Sequence, residues 1–238
     1  MNRLGALGAA ASVGAILVVA PVALAASRGP EAAQVEIARL VIATPVRARP
    51  TTQSALRGRI AATRPLTHQQ TSLPVVRRAE DRSGAGWLLV PLPGRPSGRV
   101  GWIPEANTVV SRSPWSVVVN RTARTTSVYR NGRLFQWFAV VVGTRATPTP
   151  AGRYFVEEHV RQEAGSVLGP WALATNAYSH VLQEFNGGQG QVALHGRAGS
   201  LLADPLGTAR SYGCIRFDND AIRRLAALLP NGTPIEIV

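Results

Sequence analysis

The chain is expected to fold as two mainly β domains behind an apolar N-terminal segment, with one short helix close to the C-terminus. Three observations predict this. Short apolar runs are separated by turn residues over most of the length, with Gly 23 and Pro 17 in 238 residues. An Asn-Gly pair, Asn131-Gly132, sits between two strand-like runs, where both turn residues must accept positive φ. Only one stretch, after Asp218, carries apolar residues at helical spacing. A hydrophobic share of 45% and a charged share of 16% belong to a globular chain, and the length suffices for two modest cores.

Taken in order, Arg3 precedes an almost uninterrupted apolar run from Leu4 to Ala26 that ends in Ala23-Leu24-Ala25. Residues 1–26 therefore read as a signal peptide or a membrane anchor, and either takes the remaining chain out of the cytoplasm, to the cell envelope or beyond. Residues 27–50, with Gly29, Pro30, Pro45 and Pro50 and no clean period, read as a linker. An accessory domain is expected over 51–110, with strands at Leu73 to Val76, Trp87 to Val90 and Val100 to Ile103. The stretch from Gly86 to Pro96, followed by Gly101-Trp102-Ile103, resembles a bacterial SH3-like module, a small bent β-barrel. Its role is open between a wall-binding module and a β-rich spacer with two core tryptophans.

Ser111-Arg112-Ser113-Pro114 marks the boundary of the second domain, 111–238. Within it, strands are expected at Ser116 to Asn120, at Ser127 to Arg130 and Leu134 to Trp137 around the Asn-Gly turn, and at Phe138 to Val142. Thr147 to Gly152 forms a loop, Arg153 to Glu157 restarts a strand, and Val192 to Leu194 is a buried strand. Asp218 or Asn219 caps a helix that buries Ile222, Leu225, Leu228 and Leu229, and Pro234 to Val238 closes the domain as a strand.

The net charge is +13, and all 26 basic residues are arginines. They are scattered rather than striped, and no nucleic-acid motif accompanies them, so general attraction to anionic envelope polymers is the expectation and nucleic acid is not an expected partner. Cys214 is the one cysteine and has no intramolecular disulfide partner, so in an exported protein it asks for a chemical reason.

That reason lies between Val192 and Asn219. His195-Gly196 ends a strand, and sixteen residues beyond His195 begins Ser211-Tyr212-Gly213-Cys214-Ile215-Arg216. A thiol with an ordinary pKa of about 8.5 becomes a nucleophile when a base or a positive neighbour assists it. His195 is the candidate base, and Arg210 and Arg216 supply charge. Gly213 allows a tight turn that would free its own N–H and that of Cys214 for a developing oxyanion, and Arg216 suits a two-bond grip on a substrate carboxylate. Ser211, Tyr212 and Gly196 complete the candidate substrate-contacting set.

His-Gly followed, after the intervening loop, by Ser-x-Gly-Cys-Ile-Arg resembles the signature of the L,D-transpeptidase catalytic domain, the YkuD family; the resemblance also takes in Thr147 to Gly152, the helix and the last strand. It implies a β-sandwich in which Cys214 attacks the diamino-acid carbonyl of a peptidoglycan tetrapeptide stem, releases D-alanine, and passes the acyl group to an amine of another stem. It also implies that neither metal nor organic cofactor is needed and that carbapenem-type β-lactams acylate the cysteine. Tyr212 departs from the His or Lys common at its position. L,D-carboxypeptidase activity and a non-catalytic wall-binding scaffold remain as alternatives, whereas sortase-like and papain-like arrangements are disfavoured by the spacing and order of His and Cys.

Overall fold

The computed structural model describes residues 34–184 and 188–238, so the apolar segment 1–26 lies outside the described residues. The first module carries β1 (Val35–Leu40), β2 (Thr44–Arg47), β3 (Leu56–Ile60), β4 (Ser72–Pro74), β5 (Arg77–Glu80), β6 (Gly86–Pro91), β7 (Val100–Pro104) and β8 (Thr108–Ser113). They form a three-stranded sheet, β4-β1-β8, and a five-stranded sheet, β3-β2-β7-β6-β5. The expectation of a linker over 27–50 is corrected here, because β1 and β2 occupy part of it. Val35-Glu36-Ile37-Ala38-Arg39-Leu40 buries Ile37, Ala38 and Leu40 while exposing Arg39, so charged residues had masked a strand. Trp87 and Trp102 are both buried, as expected of core residues, and Trp87 satisfies its indole N–H on Asp81 at 3.2 Å.

The second module continues with β9 (Trp115–Asn120), β10 (Thr125–Arg130), β11 (Arg133–Ala139), β12 (Val142–Gly143), β13 (Gly152–Arg161), β14 (Trp171–Tyr178), β15 (Gln191–His195), β16 (Ala209–Ser211), β17 (Ile215–Arg216), α1 (Asn219–Leu228) and β18 (Pro234–Ile237). The β10–β11 hairpin turns at Asn131 (φ 52°) and Gly132 (φ 73°), both left-handed as that dipeptide requires. The expected strand from Phe138 to Val142 is interrupted instead: β11 ends at Ala139, Val141 makes an isolated bridge to Arg216, and Val142 starts β12. Helix α1 is capped by Asp218, whose side chain accepts from the Ala221 N–H at 2.8 Å, and it buries Ala221, Ile222 and Leu225, with Leu229 just beyond. Leu228, expected on the inner face, is only partly buried.

Eight strands form one continuous sheet in the order β11-β10-β9-β18-β13-β14-β15-β17, and β12 pairs with β16. The hinge of this sheet is β13. Its first residues pair with β18 and its later ones with β14, across a register shift that leaves Glu157 without an opposite residue. Both halves feed a single core, from Val117, Val119 and Val128 on one side to Leu173, Val192, Leu194 and Ile215 on the other, closed by Ile222 and Leu225 of the helix. The core of the sandwich expected from sequence is thus enclosed by one sheet bending over itself.

The two modules share buried ground. Phe155 of β13 belongs to the core of the first module. The bulge also buries the consecutive carboxylates Glu157 and Glu158; Arg64 of the first module reaches Glu157 at 2.5 Å, and the Thr67 hydroxyl donates to Glu158 at 2.9 Å. Arg95 donates to the carbonyls of Ser179, Leu182 and Gln189, tying the same module to the connection between β14 and β15.

Candidate active site

Strand pairing brings the predicted base and nucleophile to one sheet edge. β15 ends at His195, and β17 lies parallel to it with Leu194 opposite Ile215 and His195 opposite Arg216. Cys214 precedes β17 directly, and its thiol bonds to the backbone of Ala193, on the strand that carries His195.

His195 is 3% exposed, and its Nδ1 lies 2.7 Å from the Gly196 carbonyl oxygen. A carbonyl can only accept, so Nδ1 carries the ring proton and the lone pair is left on Nε2, the tautomer a general base needs. Burial drives the imidazole down to about 4, with Arg216 pushing the same way and the Gly196 bond opposing, so the ring is neutral at physiological pH. Burial likewise pushes the Cys214 thiol up, against the Ala193 backbone bond and the Arg216 charge. The two shifts together leave a thiol beside a neutral imidazole.

The nucleophile turn is braced from beneath. Ser211 is fully buried; its hydroxyl donates to the Cys214 carbonyl at 2.6 Å and accepts the Gly213 N–H at 3.1 Å. Thr149, also buried, donates to the Gly213 carbonyl at 2.8 Å and accepts the Gly143 N–H at 2.9 Å. Gly213 sits at φ +120°, which favours glycine. Its missing side chain would meet only ordinary contacts, so the backbone angle, not space, dictates the residue.

Four sequence expectations are corrected by this geometry. Ser211 has no exposed surface for substrate and serves the turn instead. The Gly213 N–H is taken by Ser211, which leaves Cys214 with the N–H available to an oxyanion among the described residues. Gly196 acts through its carbonyl and through close packing, since a Cβ there would lie 2.3 Å from Asn219 Oδ1 and 3.2 Å from Gly169 Cα. Arg216, expected to grip a substrate carboxylate, is 5% exposed and bonds at 2.6 Å to a carboxylate of its own chain, Asp204. Tyr212 is 58% exposed at the surface of the turn. Trp171 packs against the main core, and Tyr178 is buried beneath the Arg95 guanidinium.

Sequence reasoning missed Asp204, Thr149 and Asn219 as members of the site. Thr149 stood in the Thr-Pro loop singled out above, but its contact with Gly213 spans 64 residues. Asn219 Oδ1 accepts the Arg197 N–H at 2.9 Å, a bond invisible in its reading as a helix cap.

Comparison with known proteins shows what the chain is similar to. The description "L,D-transpeptidase catalytic domain" (YkuD) matches residues 114–237. YkuD of Bacillus subtilis strain 168 is 25% identical over 135 residues, 57% of this chain and 70% of that protein. YkuD of Bacillus licheniformis is 26% identical over 124 residues, 52% of this chain and 66% of that protein. Among solved structures, Bd1075 of Bdellovibrio bacteriovorus shares 28% identity at a TM-score of 0.41, over 53% of this chain and about half (48%) of that one. The L,D-transpeptidase LdtMt1 in complex with imipenem shares 19% at a TM-score of 0.44, over 71% of this chain and 91% of that one.

Proposed function

We propose, given that this chain belongs to the YkuD family of L,D-transpeptidase catalytic domains, that it is an exported cysteine acyltransferase acting on peptidoglycan stem peptides. The observation that carries the reading is the seating of Cys214 beside the strand that ends at His195, with Nδ1 of that ring already held by a backbone carbonyl.

The chemistry balances with these groups alone. His195 Nε2 removes the Cys214 proton as sulfur bonds to the diamino-acid carbonyl carbon of a tetrapeptide stem, and the Cys214 N–H donates to the oxyanion. The C–N bond to the terminal D-alanine breaks, its nitrogen takes the proton from the imidazolium, and a thioester remains. A side-chain amine of a second stem then attacks the thioester, His195 takes the amine proton, and the sulfur leaves and recovers it. Water in place of the amine gives a carboxypeptidase. Tyr212 is assigned to the substrate side of the turn because of its exposure. The first module, expected as SH3-like, is assigned to contact with the wall, and residues 1–26 to export or anchoring.

Purified tetrapeptide stems are the deciding substrate. Cross-linked dimers with release of D-alanine are expected; tripeptide accumulating without dimers would assign a carboxypeptidase. Carbapenems present a strained carbonyl to the same thiol, so mass spectrometry should find one adduct on Cys214 and none on Cys214→Ala, with an unchanged thermal midpoint. Absence of any adduct on the intact protein would favour a wall-binding scaffold.

A further inference from the structure

The catalytic pair has a shared tether that neither member touches. Arg197, two residues beyond His195, donates from Nη1 to the Asp204 main-chain carbonyl at 2.6 Å. Arg216, two residues beyond Cys214, donates from Nη1 to Asp204 Oδ2 at 2.6 Å. Asp204 ends the short 3-10 turn Gly199–Ala203, and its second carboxylate oxygen lies 3.9 Å from Arg210, whose side chain is 60% exposed. The two short bonds thus run from one residue to the segment leaving the base and to the segment leaving the nucleophile.

We propose that Asp204 is a positioning residue for the Cys214–His195 pair, holding the base-bearing and nucleophile-bearing segments in register through Arg197 and Arg216. The proposal rests on the cysteine–histidine reading above. Such a brace adds to slender direct contact between the two segments: β17 contributes two residues, paired with Leu194 and His195, and Asn219 beyond it accepts the Arg197 N–H at 2.9 Å. The His195 ring itself is fixed by a carbonyl of the loop that Arg197 continues, so a displacement of Arg197 is passed directly to the base.

Asp204 also sets how much charge the pair experiences. The Arg216 side chain is 6% exposed, and a guanidinium so deeply placed keeps its field on neighbours unless a carboxylate offsets it. Arg216 acts on both Cys214 and His195. Replacing Asp204 by a neutral isostere exposes the thiol to the undiminished cation and favours thiolate, while loosening the geometry that makes thiolate useful.

The test uses two reagents of different demand on the intact protein. Iodoacetamide requires only an accessible thiolate; imipenem opening requires sulfur, base and oxyanion donor in register. In Asp204→Asn, acylation of Cys214 by imipenem is expected to slow at least about tenfold, the difference of about 1.4 kcal/mol that a modest loss of alignment produces. The limiting alkylation rate at high pH should stay within about twofold, while its pH midpoint falls by about half a unit or more. Asp204→Glu should recover most of the acylation rate. Acylation of Asp204→Asn at the wild-type rate, or equal slowing with both reagents, would overturn the proposal, the second outcome marking a merely structural residue. Should Asp204→Asn fail to fold by circular dichroism, Arg197→Gln is expected to give the same split between reagents, and equal slowing there would overturn it. Wild-type protein that imipenem never acylates would instead sink the cysteine–histidine reading, and the alkylation midpoint of Asp204→Asn would still report on Asp204.

Discussion

Lowering the pH tests whether the His195 ring is truly held neutral by burial. An ordinary imidazole takes up its proton near 6.5, whereas the folded protein resists until about 4. Between those values the unfolded chain binds a proton that the folded chain refuses, so stability falls as pH drops from 7 to 4 and levels off below. Two and a half decades of proton affinity at about 1.4 kcal/mol each come to about 3 kcal/mol. His195→Asn removes this contribution. Urea unfolding of wild type and variant at pH 7 and pH 4 measures it: the wild type should lose about 3 kcal/mol more than the variant over that interval, or roughly 6–12 °C in thermal midpoint for a chain of this length. His159, also driven to about 4 by burial, adds a loss of the same sign to both proteins and cancels in the comparison. Glu157, raised by burial, acts oppositely, its contribution fading as pH rises, and it too is common to both. Equal losses in wild type and variant would refute the argument. In kinetics, the acid limb of Cys214 acylation should then fall with a midpoint near 4 rather than 6.5.

Two further perturbations follow from bonds described above. Ser211→Ala leaves the Gly213 N–H and one acceptor site of the Cys214 carbonyl without their buried partner; a stability loss of about 2 kcal/mol is expected by denaturant titration, together with slower acylation by imipenem, and an unaltered acylation rate would show that the turn holds its shape without the hydroxyl. Arg64→Ala strands the fully buried Glu157 without its cation and should cost about 3–5 kcal/mol in urea unfolding, whereas the double variant Arg64→Met, Glu157→Gln should recover more than half of that; a single variant as stable as wild type would show that the modules are not held by this pair.

Where a structural cause was local in the chain, it was legible there. The Asn131-Gly132 turn, the Asp218 cap and the apolar face of the last helix each depend on a few neighbouring residues, and each stands where its residues require. Cys214 and His195 could be singled out as candidates because a lone thiol follows a histidine at a strand end at a set spacing, and the structure seats them on neighbouring strands. The strand Val35–Leu40 was not, because its burial comes from pairing with Ser72–Pro74 and Thr108–Ser113, far along the chain. The same holds for the role of Arg216. In sequence it is a free guanidinium suited to any carboxylate; in the folded protein Asp204, twelve residues earlier, has reached it first, because the 3-10 turn and two strand ends converge on one edge. The amino-acid order determined the candidate groups and the local turns that present them; the tertiary structure alone decided which polar groups are already satisfied, because a buried donor or acceptor takes whatever partner packing brings within reach, however distant in the chain.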